Sequence, residues 1–135
     1  MFYVGTAEEA RIVKLALNLM IGGTAQLMAE AIVLAEGHGV ARRDMLEVMG
    51  GSAIGSPFVR YKTDALVADD YRSTFTMRLM RKDVGLVLDA AREIDVPLPL
   101  SALTAQLVQA AIAIGMGDMD FSALLPRLRR EAGLD

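Results

Sequence analysis

The sequence has no cysteine and no tryptophan, and its 135 residues include one histidine. Without cysteine there are no disulfide frameworks, no thiol catalysis and no thiolate zinc sites. One histidine cannot form a metal cluster alone, so we expect no bound metal. His38 lies between two glycines at the end of a helical pattern. We expect it to cap that helix and not to act as a ligand or a base.

The chain also has only a small excess of negative charge. Fourteen lysines and arginines oppose seventeen acidic residues, for a formal net charge of -3, and the isoelectric point is near 5.1. This balance supplies no basic field for nucleic acid or anionic lipid, so we expect no nucleic-acid partner. No charged segment followed by a short apolar core and a small-residue cleavage site opens the sequence, which predicts a cytoplasmic location.

Apolar residues, in contrast, make up 53% of the chain. Two stretches without charge cover residues 15–29 and 96–117. The second is long enough to span a bilayer by count, but its leading prolines and scattered polar residues favour a capped, buried helix, so we expect no membrane span. The two stretches present more apolar surface than a chain of this size readily covers. This excess predicts self-association, most simply as a homodimer.

Helical periodicity organises the whole chain. Thr6 and Glu9 have the spacing of a capping box, and apolar residues continue from there to Glu36 in one long first helix. Gly22 and Gly23 interrupt that helix and predict a bend or a close backbone contact. Shorter helices are expected over about 42–49, 57–67, 76–94, 101–115 and 122–132, the second of these beginning at Ser56-Pro57 and the fourth capped by Ser101.

No segment alternates with the period of a strand, so the sequence predicts one all-α domain over residues 1–135. The expected architecture is a multi-helical bundle of about six helices with a long first helix. The glycine-rich segment "MGGSAIGS" from Met49 to Ser56 resembles a phosphate-binding loop only superficially. No strand precedes it and no Gly-Lys-Ser/Thr follows, so we interpret it as a helix-to-helix loop.

Lys14 and Asn18 stand out within the apolar first helix. Their spacing of four residues places them on one helix face, about 6 Å apart along the axis. In an apolar cleft, such a lysine can exchange a proton with a substrate hydroxyl, while the asparagine donates and accepts hydrogen bonds. The alternative is a lysine that extends into solvent beside a polar edge.

A second polar set lies in "FTMRLMRKDVGL", residues 75–86. Lys82 and Asp83 are adjacent, so they do not form an i,i+4 bridge, and we expect each to have its own partner. Arg78 and Arg81 form a basic face near the helix start, where the helix dipole favours anions. A solvated charged face is the alternative interpretation.

Three motifs in order resemble a known family. "VGTAEEARIVKLALNLM" is similar to a glycine-led segment ending in G-x-x-x-K-x-x-x-N, and "AEAIVLAEGHGV" follows in the expected place. Phe75 and Lys82-Asp83 then match an "F…KD" pattern, with "DVPLPLSAL" beyond. Together they resemble the C-terminal domain of the β-hydroxyacid dehydrogenases, which include 3-hydroxyisobutyrate dehydrogenase, tartronate semialdehyde reductase and glyoxylate/succinic semialdehyde reductases.

The resemblance implies a helical substrate and dimerisation domain like the C-terminal domain of 6-phosphogluconate dehydrogenase-like enzymes. Lys14 would be the catalytic lysine, Asn18 would bind a small hydroxyacid or semialdehyde, and Lys82 would contact NAD or NADP. Phe75 and Asp83 would line or support the substrate site. The dinucleotide-binding domain that would hold most of the cofactor is absent from this sequence, so we expect the isolated chain to be inactive. The alternative is a stand-alone helical dimerisation or interaction module without catalysis.

Overall fold

The computed structural model describes residues 2–134. Six α-helices follow one another: α1 (Glu9–Gly37), α2 (Arg42–Gly51), α3 (Pro57–Val67), α4 (Met77–Arg92), α5 (Pro99–Ala111) and α6 (Leu124–Glu131). A π-helical segment (Ile112–Met116) extends α5, and a 3-10 turn (Phe121–Ala123) precedes α6. Across residues 2–134 there is no β-sheet, and only one isolated bridge joins Thr76 and Asp120. The predicted all-α fold with a long first helix is confirmed.

The long helix α1 is the centre of the bundle and contacts α2, α4, α5 and α6. Ile32 of α1, Leu46 of α2, Met80 of α4 and Leu124 of α6 are almost fully buried where these helices meet. At Gly22, an added Cβ would lie 3.1 Å from the sulfur of Met80, so the missing side chain permits α4 to approach closely. The predicted close contact is thus confirmed at Gly22, and α1 continues through it.

By length and composition alone, α1 and the segment Pro99–Met116 are apolar enough to cross a membrane. A core helix of a bundle meets the same criteria, so this finding is only weak support for a span. Both helices contribute to the core here, α1 through Ile32 and α5 through Val108.

Polar caps set several helix boundaries as expected. The hydroxyl of Ser56 accepts from the backbone N–H of Val59 at 3.2 Å, directly before the proline that begins α3. Thr76 caps α4 in the same way, accepting from Leu79 N–H at 3.1 Å. His38 is the C-cap of α1, and its backbone N–H donates to carbonyls of the last turn. The predicted roles of Ser56 and His38 are confirmed.

The predicted capping box at the start of α1 is wrong. The N-cap is Glu8, which makes no side-chain capping bond. The carboxylate of Glu9 instead accepts from the backbone N–H of Ala7 at 2.8 Å. Thr6 precedes the cap by two residues, so its hydroxyl is not at the capping position.

The predicted start of α5 is also wrong. Ser101 lies inside α5 and is buried, because the helix begins two residues earlier at Pro99. Proline fits the first helical position, since its fixed φ suits a helix and its missing N–H would be unpaired there. At the other end, the expected break at Gly115 is confirmed: its φ of +94° lies in the left-handed region that interrupts the helical segment.

An ionic cluster holds the C-terminal end of α1 against two other helices. The carboxylate of Glu36 accepts from Arg42 of α2 and from Arg129 of α6, each at 2.8 Å. Arg42 also pairs with Asp69 and donates to the carbonyl of Leu66 at the end of α3. One carboxylate therefore connects α1, α2 and α6, and Arg42 extends the cluster to α3.

Candidate functional site

A cavity of about 200 Å³ lies where α1, α3 and the segment leading into α4 meet. Its wall brings together Asn18, Phe75 and, from α3, Tyr61 and Lys62. Two residues that the sequence predicted for a substrate site, Asn18 and Phe75, are thus neighbours although 57 positions separate them (75 minus 18). This cavity is the candidate site.

Asn18 and Asp83 are in direct contact. The side-chain nitrogen Nδ2 of Asn18 donates to Oδ2 of Asp83 at 2.7 Å, joining α1 to α4. The other carboxylate oxygen, Oδ1, is 3.7 Å from Nζ of Lys82. The expectation that Lys82 and Asp83 have separate partners is therefore wrong for Lys82, because its long side chain folds back to the adjacent carboxylate. Only 13% of the Asp83 side chain is exposed, against 64% for Lys82.

Lys14 lies one helical turn before Asn18 on α1, but it is exposed and does not line the cavity. Its neighbours Val13 and Leu17 are exposed as well. The sequence interpretation of Lys14 in apolar surroundings is therefore not met by the described part of this chain. Its role as the catalytic lysine stays a prediction, as do the roles of Asn18, Phe75, Lys82 and Asp83.

The cavity also has a lysine that the sequence analysis missed. Lys62 is only 5% exposed. Its ammonium donates to Oδ1 of Asp120 at 2.8 Å and to the hydroxyl of Thr74 at 3.3 Å. It also lies 4.7 Å from the ring centroid of Phe121, within cation–π range. Burial of a charge is tolerated here because the ammonium has ionic, polar and aromatic partners.

Asp120 is the ionic partner of the buried Lys62 ammonium. Burial would raise the pKa of its carboxyl group, but hydrogen bonds from Lys62, Ser122 and Thr74 outweigh burial and lower the pKa to about 2. The backbone N–H and the hydroxyl of Ser122 donate to Oδ1, which also accepts from Lys62. Asp120 is therefore ionised at neutral pH and fully hydrogen-bonded.

The same carboxylate positions Phe75. Its Oδ2 accepts from the backbone N–H of Thr74 at 3.2 Å and of Phe75 at 3.3 Å. Phe121 N–H donates to the carbonyl of Phe75 at 3.0 Å, and the two rings make an edge-to-face contact with centroids 5.9 Å apart. The Lys62–Asp120 pair therefore fixes the backbone that carries one wall of the cavity.

A signal for Lys62 was present in the sequence. Val59, Lys62 and Leu66 recur at intervals of three and four, and all three are buried on the inner face of α3. A lysine on an apolar stripe implies a buried partner. The sequence alone did not identify that partner, because Asp120 lies 58 residues away.

The two arginines near the start of α4 contact α5 and the segment that follows it. Arg78 pairs with Asp118 at 3.1 Å, and Arg81 donates to the side-chain carbonyl of Gln109 at 3.3 Å. These contacts reduce the positive charge available near the start of α4. The solvated charged face describes Arg78 and Arg81 better than an anion site does.

Comparisons with known proteins identify the family. Residues 9–128 match the family model described as NAD-binding of NADP-dependent 3-hydroxyisobutyrate dehydrogenase. Among curated proteins, the chain is 34% identical over 125 residues to 2-(hydroxymethyl)glutarate dehydrogenase of Eubacterium barkeri, covering 92% of the chain and 42% of that protein. It is 35% identical over 123 residues to 3-sulfolactaldehyde reductase of Escherichia coli, covering 90% of the chain and 41% of that protein.

Among solved structures, 3-hydroxyisobutyrate dehydrogenase of Mycobacterium tuberculosis with L-serine superposes with a TM-score of 0.82 at 28% identity, covering 95% of this chain and 46% of that one. The Salmonella typhimurium 3-hydroxyisobutyrate dehydrogenase gives 0.80 at 30% identity, covering 84% and 40%. The fold and these comparisons therefore define the class of protein as a helical dehydrogenase domain. The chain belongs to the 3-hydroxyisobutyrate dehydrogenase family of β-hydroxyacid dehydrogenases, and it spans less than half the length of these relatives.

Proposed function

We propose that this chain is the helical substrate domain of an NAD(P)-dependent hydroxyacid dehydrogenase or semialdehyde reductase. In the complete enzyme, Lys14 exchanges a proton with the substrate oxygen while Asn18 and Phe75 orient the substrate. The observation that carries the proposal is the cavity in which Asn18 and Phe75 share a wall, with Asp83 hydrogen-bonded to Asn18. Asn18 and Phe75 come from distant parts of the sequence to this cavity, and Asp83 lies behind Asn18, outside the cavity wall.

The exposure of Lys14 fits a site completed by a second domain. An exposed ammonium beside exposed Val13 and Leu17 forms a mixed apolar and cationic surface at the N-terminal end of α1. Covering this surface with a dinucleotide-binding domain would remove water from around Lys14. Lys14 precedes Asn18 by four residues on α1, about 6 Å along the helix axis. The proton exchange is therefore a property of the assembled cleft.

The chain supplies Lys82 as a contact for part of a nicotinamide dinucleotide. The Lys82 side chain is mostly exposed, and its ammonium lies beside Asp83 at 3.7 Å, so it is accessible to an anionic or polar group of the cofactor. No glycine-rich strand-to-helix unit for the diphosphate occurs within residues 2–134, so most of the binding must come from elsewhere. When bound, the nicotinamide supplies hydride transfer. The chain's own residues bind the substrate and move the proton.

The test is to place the chain behind a dinucleotide-binding domain from a relative such as the Escherichia coli 3-sulfolactaldehyde reductase. We expect nicotinamide-dependent oxidation of a hydroxyacid, or reduction of a semialdehyde, that the isolated 135-residue chain does not perform. The control is Arg11→Ala, which removes another exposed cation one turn before Lys14, paired only with the exposed Glu8. Activity that survives Lys14→Ala at the level of the Arg11→Ala control would contradict the proposal.

The stand-alone interaction module is the second candidate, and the exposure of Lys14 outside the cavity favours it. A module needs no proton donor at that position. It predicts that no fused dinucleotide-binding domain yields hydride transfer and that Lys14→Ala leaves partner binding unchanged. The fusion experiment therefore separates the two candidates.

We also propose self-association through an apolar groove between α1 and the start of α5. The groove has a volume of about 350 Å³ and is lined by Met20, Leu27 and the segment 97–101, among others. Met20, Leu27 and Leu100 are each more than half exposed, and burying such a patch between two copies would be favourable. Sedimentation should show a dimer that Leu27→Glu dissociates and Val48→Glu, an exposed control on α2, does not. A monomer at high concentration would overturn this.

A further inference from the structure

The contact between Asn18 and Asp83 restricts what the amide can present to a ligand. A carboxylate offers only acceptors, so the amide must direct an N–H toward it. The Nδ2···Oδ2 distance of 2.7 Å is short, as expected for a charge-assisted hydrogen bond. The orientation of the Asn18 amide is therefore set by the chemistry of Asp83. One N–H and the carbonyl oxygen remain for another partner.

Asp83 itself is not part of the cavity wall. Asn18 lines the cavity, but Asp83 does not. Its Oδ2 accepts from Asn18 and its Oδ1 faces the ammonium of Lys82 at 3.7 Å. Both carboxylate oxygens are thus directed at residues of this chain, and the side chain is mostly buried. The family resemblance implied that Asp83 would line or support the substrate site, and these contacts favour a supporting role.

We propose that Asp83 is a positioning residue that acts through Asn18 and does not contact the substrate. Its carboxylate holds the Asn18 amide in one orientation, so that an N–H and the carbonyl oxygen face the cavity. That donor–acceptor pair matches a hydroxyl group, which both donates and accepts, better than it matches a carboxylate, which only accepts. The same carboxylate restrains Lys82, so the residue predicted to contact the cofactor and the residue predicted to contact the substrate share one anchor.

The orientation of the amide can be measured on this chain without any activity. In the ¹⁵N-labelled protein, the one side-chain amide proton of Asn18 that is donated to Asp83 should be shifted downfield and exchange slowly with solvent, so that the two amide protons are separated more widely than in a solvated asparagine. Asp83→Ala should move these resonances to the positions of a solvated asparagine and speed up exchange. Asp83→Asn keeps an acceptor oxygen and should preserve much of the separation.

Asp89 supplies the matched control. It lies on the same helix and pairs with Arg92 at 2.6 Å, with both side chains mostly exposed. Asp89→Ala removes an acidic residue from α4 without touching Asn18, so the amide resonances should not change. Unchanged Asn18 resonances in folded Asp83→Ala would overturn the proposal, as would an equal change in Asp89→Ala.

The catalytic consequence rests on the proposed function and is tested in the fusion enzyme. There, Asp83→Ala should lower kcat/KM for the hydroxyacid on the order of 10²-fold, because a substrate group misplaced by about 1 Å has effects of that size. Asp83→Asn should recover most of this loss, which a purely electrostatic role would not permit. If the resonances shift but no variant of the fusion has activity, the positioning stands and the proposed function fails. If the fusion is active and Asp83→Ala has normal kcat/KM, the positioning role is overturned.

Discussion

Lys14 and Lys62 are both on the helices that surround the candidate cavity, but their environments are opposite. Lys14 is exposed on α1, whereas Lys62 is buried on α3 and bonded to Asp120 and Thr74. A buried ammonium without partners would cost several kcal/mol, so its network is a condition for folding. An exposed ammonium has no such requirement. The buried lysine is therefore explained by the structure of this chain, whereas the exposed Lys14 is compatible with the fold without any buried partner.

Replacing Lys14 should have the largest effect, and only on activity. In the fusion enzyme, Lys14→Ala should lower kcat by about 10²- to 10⁴-fold, the usual contribution of a general acid or base. Because Lys14 is exposed, the free energy of unfolding should change by less than about 0.5 kcal/mol. Steady-state kinetics and urea unfolding on the same preparation measure both quantities. A large loss of stability would show that the two lysines differ less than we infer.

Replacing Lys62 should have the opposite pattern. Lys62→Met removes one partner of a buried ion pair, for which the expected loss of stability is about 3–5 kcal/mol. Urea unfolding of the 135-residue chain measures it, with Lys14→Met as the matched control. Adding Asp120→Asn to Lys62→Met should restore part of the loss, because an uncharged side chain at position 120 no longer leaves a buried charge unpaired. A stable Lys62→Met variant would contradict the role assigned to the pair.

The carboxylate of Asp120 predicts how stability responds to acid. Its pKa is lowered from 3.8 to about 2 in the folded chain, so the folded state binds a proton less readily than the unfolded state. The resulting stabilisation is fully present above the unfolded pKa and is lost as the pH falls through the folded value. A shift of this size corresponds to about 2 kcal/mol. Urea unfolding between about pH 5 and pH 2 should show this loss, and Asp120→Asn should remove that contribution.

Removing the N-cap of α3, the helix that carries Lys62, should have the smallest effect on stability. Ser56→Ala removes the hydroxyl that accepts from Val59 N–H and should cost about 1 kcal/mol of stability. The control is Ser73→Ala, in the exposed connector before α4, which should be close to neutral. Thermal unfolding compares the two variants. Equal stabilities would show that α3 is held by its buried face alone, including Lys62, and not by its cap.

The helices were predictable from sequence because their signals are local. Ser56-Pro57 starts α3, and apolar residues at helical spacing define the buried face of each helix. Two predicted helix starts were wrong, each at a residue with the side chain of an N-cap. Ser101 has the side chain of a cap, but Pro99 is already suited to the first turn, and Thr6 is followed by residues that do not place its hydroxyl at the cap.

The candidate site was predictable in part. Helix geometry predicts that Lys14 and Asn18, four residues apart, share one face of α1. The family resemblance added Phe75, Lys82 and Asp83 to the predicted site. The hydrogen bond from Asn18 to Asp83 joins residues 65 positions apart, and no periodicity indicates such a contact. Lys62 was missed for the same reason: its position on an apolar stripe signals burial, but not the identity of the residue that neutralises it.

The sequence by itself determined that this chain is helical, where most helices lie, and that Lys14 and Asn18 share a helix face, because hydrogen bonds and side-chain periods act over a few residues. The tertiary structure alone decided which polar groups meet: Asn18 with Asp83, Lys62 with Asp120, and Phe75 with Phe121. Those pairings depend on how α1, α3 and α4 pack, and packing is fixed by the shape and burial of the whole core. The exposure of Lys14 also belongs to this second group, because the burial of a helix position depends on how the whole chain packs.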